Sequence, residues 1–425
     1  MIGMPRSDLA LMVDLYELTM LQAYLREDFN ATGRFEVFIR KLPPDWGYFV
    51  MAGLAELTEY LEELAFSEEH LRYLASVPQL GDDLIEYLRG WRPRVSIRAL
   101  PEGTLFFPDE PVLEMSGPLA DCQLLETYVL NILGFSIIST TLASRYMAAA
   151  QGRAIVDFGL RRAQGPIAAM RAARGGQVAG FAATSNVAAA QALGMRPSGT
   201  MAHSFVQAYP SEENALRAFA EQYGEHAILL IDTYDSRNGI QIAARIAREL
   251  EQSRGVKIRG IRLDSGDLVA LSRFAREHLR TAGVPWVKIF ASGGLDEYKI
   301  HDMIEQGAEI DGFGVGTRFI ASTTAPAVDI AYKLAEYDGR PVLKTSPGKE
   351  THAGRKSLLR ENNGSYRGDR VVRFEAPGDL LVPFDKPEPI EAIQSRLEQE
   401  LTLLPEEFRR IRNPSTYPVE VTAGG

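Results

Sequence analysis

The chain reads as an α/β protein built on a β/α barrel, with a mixed α/β region preceding it. Three observations lead there. From about residue 150 the sequence repeats a β-rich run, a loop and a helical stretch. Polar and glycine residues gather at the same end of those runs. The first 117 residues lack that repeat and instead alternate amphipathic helices with short strands broken by Pro and Gly. At 425 residues the chain exceeds one ordinary core, which agrees with more than one domain.

Taken in order, residues 8–26 (DLALMVDLYELTMLQAYLR) place apolar side chains at helical spacing. RFEVFIRK alternates as a half-buried strand does. PDWGYFVMAGLAELTEYLEELAF starts as strand and ends as helix, and EEHLRYLASV adds another helix. RVSIRALPEGTLFFPDEPVLEMSG gives short, largely antiparallel strands separated by turn residues. TYVLNILGFSIISTTLAS, residues 127–144, approaches a membrane span in length, but its scattered Thr, Asn, Gly and Ser predict a buried helix.

The barrel units follow. They are RAIVDF with PIAAMRAAR, VAGFAATS with NVAAAQALG, and HAILLIDTYD with NGIQIAARIARELEQ. Then come VKIRGIRLDSGD with LVALSRFAREHLRTAG, WVKIFASGG with LDEYKIHDMIEQG, and finally EIDGFGVGT. Strands joined through helices favour parallel pairing. Asp157, Asp232, Asp264, Ser292 and Gly316 all fall at or just after strand ends. Chemistry gathered at one end of six successive units favours a barrel over an open doubly wound sheet, which also binds at its strand ends. In the tail, PVLKTSPGKETHAGRKSLLR reads as strand, basic loop, strand, and EPIEAIQSRLEQELTLLPEEFRRI as a helix broken near Pro405. The expected division is 1–117, a mixed α/β domain; 118–330, the barrel; and 331–425, a segment returning to the N-terminal domain.

Composition excludes several classes. A net charge of −10 opposes nucleic-acid or anionic-membrane binding. The single cysteine, Cys122, permits neither an internal disulfide nor a cysteine-rich zinc site, and fits a reducing cytoplasm. The first sixteen residues hold no sustained apolar core of the signal-peptide kind.

Five short motifs carry chemistry. GGLDE and GVGT close the last two units, where barrel loops often bind phosphate, although glycines there would also serve plain tight turns. RLDSGD, residues 262–267, sets one arginine and two carboxylates around a Ser-Gly turn. The arginine suits a small carboxylate, and the aspartates suit ribose hydroxyls or magnesium, or simply cap the next helix. DFGLRRAQG offers a ring beside paired arginines, a slot for a flat anion. GTMAHSF holds one of only six histidines, His203, whose imidazole would serve as base, phosphate ligand or nucleophile. No G-x-x-x-x-G-K-[ST] loop is present. Lys288 in WVKIF raises the alternative of Schiff-base chemistry inside a barrel, against a strand lysine reaching solvent.

In family order, DLYELTM, FGLRRAQG, TSN, GTMAHSF, RLDSGD and GVGT resemble bacterial nicotinate phosphoribosyltransferases, from residue 14 through 317. The resemblance implies a type II phosphoribosyltransferase fold, an irregular β/α barrel with a packed α/β domain. It implies a cytoplasmic homodimer with shared active sites that joins nicotinate to 5-phosphoribosyl 1-pyrophosphate in NAD biosynthesis. It also implies ATP as a co-substrate and a requirement for magnesium, while the net charge of −10 leaves neither nucleic acid nor membrane as an expected partner. The resemblance further assigns roles. His203 would be transiently phosphorylated. Thr200, Arg262, Phe158 and Ser185 would meet nicotinate, with Tyr16 closing the pocket from the partner subunit. Arg161, Asp264, Gly293, Gly294, Gly316 and Thr317 would hold the phosphoribosyl substrate. The nearest alternative is the nicotinamide-specific relative, which has an acidic residue where this chain has Ser185.

Overall fold

The computed structural model describes residues 6–346 and 351–422. The first five residues of the N-terminal stretch and the centre of the expected basic loop, 347–350, lie outside the described residues. The chain divides after Ile138 and again after Pro326 rather than at 117 and 330. Residues up to Ile138 together with those from Ala327 form one unit, and Ser139–Pro326 form the other.

The first unit centres on a six-stranded sheet in the order Arg340–Pro341, Ile330–Tyr337, Thr32–Ile39, Leu113–Pro118, Ser96–Ala99, Val382–Pro383. All its pairings are antiparallel. The C-terminal residues thus add strands to both edges of an N-terminal sheet. The alternation in TGRFEVFI buries Phe35, Val37 and Ile39. Phe35 stacks on Tyr332 at 4.7 Å between ring centroids, and the Tyr332 hydroxyl donates to the Cys122 carbonyl at 2.7 Å. Offset aromatic pairs add to burial itself, so this contact ties the tail strand to the N-terminal one.

The N-terminal helical stretch is broken. A 3-10 turn, Arg6–Leu11, precedes the α-helix Leu15–Arg26, with Asp14 at its N-cap in extended conformation. Elsewhere the helix Leu54–Glu63 and the strands Ser96–Ala99 and Leu113–Pro118 sit where the patterning predicts. The tail helix ends at Leu403 and a second begins at Glu406, separated by Pro405. The helix Glu126–Ala150 is long and apolar enough to cross a membrane, yet most of its apolar stretch is buried inside the protein.

The second unit holds six parallel strands: Ala154–Asp157, Ala183–Thr184, Ile228–Leu230, Gly260–Leu263, Lys288–Ala291 and Gly312–Val315. Their sheet order is 183, 154, 312, 288, 260, 228 by first residue. This is the cyclic order of a β/α barrel opened at one seam, between Ala183–Thr184 and Ile228–Leu230. The sheet is therefore a curled half-barrel. At the seam the chain runs instead through a bridge from Pro197 to Thr184 and onward to His203. VAGFAATS contributes only two strand residues, because Val178 and Ala179 complete the preceding helix, Pro166–Ala179. The helices Ser236–Arg254, Leu268–Thr281 and Glu297–Glu305 are each capped by an aspartate, Asp235, Asp267 and Asp296, accepting from a first-turn amide.

Candidate active site

The C-terminal ends of the parallel strands carry the polar residues that the sequence concentrates there. Arg262, on Gly260–Leu263, is the hub. Its Nε donates to Ser292 Oγ at 2.7 Å, Nη1 to Thr200 Oγ1 at 2.9 Å and Nη2 to Asp264 Oδ1 at 2.7 Å. A guanidinium has five N–H groups, so about two remain, one on each terminal nitrogen. That is the number a carboxylate's two oxygens take. The Arg262 guanidinium also lies 5.4 Å from the centroid of the Phe158 ring.

Phe158 extends its strand by donating its amide to the Val315 carbonyl at 2.7 Å, and its ring covers Gly314. A Cβ at Gly314 would stand 2.4 Å from that ring, so only glycine admits Phe158 here. Phe158, Thr200, Arg262 and Ser292 line one cavity inside the half-barrel with Phe290 and Phe313. An apolar cavity with a few fixed donors is the usual form of a small-ligand site.

Asp264 links this cavity to the rim. Its Oδ1 receives Arg262 and the Ser292 hydroxyl, and its amide donates to Asp232 Oδ2 at 2.8 Å. Burial alone would raise the Asp264 carboxyl, but the Ser292 hydrogen bond and the Arg262 charge outweigh it and hold it below the ordinary carboxylate value. Gly293, at φ +100°, brings its backbone so close that an added Cβ would lie 2.1 Å from the Asp264 carbonyl. Asp232 also accepts from Ser265 Oγ at 2.7 Å, while its buried Oδ1 has no hydrogen-bond partner.

His203 opens the short helix His203–Gln207. Its Nδ1 is 3.1 Å from Thr233 Oγ1, and its Nε2 stands 3.9 Å from Asp264 Oδ2. The side chain is 43% exposed, and Thr233 anchors the ring at Nδ1. Thr233 was not among the sequence candidates; its position just after Asp232 at a strand end is the signal that marks it.

The remaining candidates separate into groups. Gly316 approaches the Phe158 backbone, and Gly294 and Thr317 occupy neighbouring strand ends. Arg161 is exposed in the 3-10 turn Leu160–Arg162. Ser185 is half-buried, with its amide donating to the Asp157 carbonyl at 2.7 Å, and it is not among the residues lining the Arg262 cavity. Tyr16 belongs to the first unit, where it is 45% exposed beside exposed Leu15. Lys288 is exposed, with Nζ 3.4 Å from Asp311 Oδ1, so the strand lysine reaches outward.

With this geometry in place, comparison with known proteins is specific. Three family models match in order: the nicotinate phosphoribosyltransferase N-terminal domain over residues 11–134, the nicotinate phosphoribosyltransferase family over 153–371, and its C-terminal domain over 378–424. The nicotinate phosphoribosyltransferase pncB2 of Mycobacterium tuberculosis (strain H37Rv) is 43% identical over 426 residues, covering 97% of this chain and 91% of that protein. The Bacillus subtilis nicotinate phosphoribosyltransferase is 36% identical, covering 99% and 94%. Among solved structures, human nicotinic acid phosphoribosyltransferase superposes with a TM-score of 0.84 at 27% identity, covering 96% of this chain and 97% of that one.

Proposed function

The chain belongs to the nicotinate phosphoribosyltransferase family, and from that premise we propose a reaction for it in NAD biosynthesis. The enzyme joins nicotinate to 5-phosphoribosyl 1-pyrophosphate, releasing pyrophosphate, with ATP hydrolysis coupled through His203. The observation that carries the reading is Arg262, fixed by three hydrogen bonds in front of Phe158 with two N–H groups to spare.

Nicotinate's carboxylate takes those two donors, and its ring lies in the aromatic cavity near Phe158. The pyridine nitrogen then attacks the anomeric carbon of the phosphoribosyl substrate. A nitrogen–carbon bond forms as the carbon–oxygen bond to pyrophosphate breaks, and the electron pair leaves with pyrophosphate. Holding both reactants in line lowers the entropic part of the barrier. Ionised Asp264 binds ribose and favours positive charge at the anomeric carbon, while Arg161 and the amides around Gly293, Gly294, Gly316 and Thr317 hold phosphate oxygens.

His203 Nε2 attacks the terminal phosphorus of ATP while Thr233 steadies Nδ1; the nitrogen–phosphorus bond forms as the bond to the bridging oxygen breaks, and ADP leaves. Water then takes the phosphoryl group from the imidazole as inorganic phosphate, and that loss is coupled to turnover. Magnesium fits this rim. Asp232 keeps a buried oxygen without a partner, and magnesium takes one or two carboxylates with substrate phosphates completing its shell. Asp232 and Asp264 would hold it, and its chemistry is to neutralise phosphate charge. Exposed Tyr16 and Leu15 support a homodimer in which Tyr16 closes the partner's pocket.

A product assay with nicotinate, nicotinamide and quinolinate, each with and without ATP, tests the proposal. Nicotinate mononucleotide and pyrophosphate should form from nicotinate, faster with ATP. Comparable turnover of nicotinamide, or indifference to ATP, refutes the corresponding part.

A further inference from the structure

Thr184 stands where three segments of the candidate pocket meet, although it does not itself line the cavity. It is fully buried and pairs in register with Asp157 on the adjacent strand. Its hydroxyl donates to Asp157 Oδ2 at 2.7 Å and accepts from the Asn186 amide at 3.0 Å. Its own amide donates to the Arg196 carbonyl at 3.1 Å, and its carbonyl accepts from the Ser198 amide at 2.9 Å. Asp157 is 1% exposed and fully engaged: Oδ1 accepts from the Gly159 amide at 2.7 Å, and its carbonyl accepts from the Ser185 amide at 2.7 Å.

Each partner leads to the pocket. Asp157 and Gly159 flank Phe158, whose ring faces Arg262. Ser198 lines the cavity two residues before Thr200, which receives Arg262 Nη1. Asn186 follows Ser185 and caps the helix Val187–Leu193 through the Ala189 amide at 3.2 Å. The hydroxyl of Thr184 is the side-chain link that fixes the Phe158 loop against the Ser185 loop. Its backbone fixes the Thr200 segment against both.

We propose that Thr184, acting through Asp157, is a positioning residue that sets the spacing between Phe158 and the carboxylate-binding group Arg262–Thr200, and so sets selectivity for the base. This rests on the reading of that cavity as the nicotinate pocket. Thr184→Val keeps the shape of the side chain but leaves Asp157 Oδ2 without its hydroxyl donor and the Asn186 amide without its acceptor, both buried.

The experiment measures KM and kcat for nicotinate and nicotinamide in the wild-type, Thr184→Val and Thr184→Ser proteins. The valine variant should raise KM for nicotinate by about tenfold or more, with kcat falling less, and should narrow the preference for nicotinate over nicotinamide. Serine, which keeps the hydroxyl, should restore both. If the valine variant fails to fold, Thr184→Ala, which removes the hydroxyl without demanding space, is read by the same criteria. Equal losses on both bases, with the preference unchanged, overturn the proposal. A wild-type protein that turns over neither base overturns the pocket reading instead.

Discussion

Replacing Arg262 by lysine keeps the positive charge and removes the geometry. In the native site three different nitrogens reach three different partners, Ser292, Thr200 and Asp264. A lysine has one nitrogen, and a point donor cannot span that fan while also gripping both oxygens of a carboxylate. With nicotinate bound as proposed, the variant should lose at least one charge-assisted hydrogen bond to its carboxylate, worth about 1.5–3 kcal/mol. At about 1.4 kcal/mol per tenfold, that lowers kcat/KM for nicotinate by roughly tenfold to a hundredfold. Nicotinamide presents one acceptor oxygen rather than two, so its turnover should fall less. Steady-state kinetics on both bases, with circular dichroism to confirm folding, decides the matter. An unchanged kcat/KM for nicotinate in a folded Arg262→Lys protein would remove Arg262 from the pocket.

Other perturbations address the remaining parts. His203→Ala should abolish ATP stimulation while leaving slow ATP-independent turnover; full stimulation in the variant would show that this imidazole is not the phosphoryl acceptor. Tyr16→Ala and Arg262→Ala proteins, each weak alone, should regain activity when mixed, since some hybrid dimers would hold an intact site; no recovery despite proven subunit exchange would confine each site to one chain. Ser185→Asp should reduce nicotinate use more than nicotinamide use, because a carboxylate near the pocket repels the substrate's own; equal losses would place Ser185 outside the discrimination. Glu17 gives a pH test. Burial pushes its carboxyl up to about 7 from 4.5, against two hydrogen bonds from Thr127, and its Oε2 has no partner. A raised carboxyl makes the folded state hold a proton that the unfolded state has released, so its contribution to stability declines as pH rises from 4.5 to about 7. Glu17→Gln should therefore raise Tm, relative to wild type, more at pH 8 than at pH 4.5. A pH-independent difference would contradict this.

The parts of this protein that depend on local pattern are written in its residue order. Alternation in TGRFEVFI and the strand-loop-helix repeats after residue 150 dictate those elements, because side-chain burial follows the backbone's own period. The location of the chemistry at strand ends was legible for the same reason: Asp157, Asp232, Asp264 and Ser292 each follow a β-rich run. Tertiary structure decided what depends on residues distant along the chain. That the barrel order stays open beside His203 follows because Ala183–Thr184 and Ile228–Leu230, more than forty residues apart, do not pair, which no local period encodes. The same holds for the site's wiring. Thr233 meets His203 across thirty residues, and Thr200 meets Arg262 across sixty-two. Gly314 makes room for a ring that precedes it by more than 150 positions. The chain's own text names the donors and acceptors, but a hydrogen bond forms only between groups that folding brings within about 3 Å, and that proximity is a property of the packed sheet.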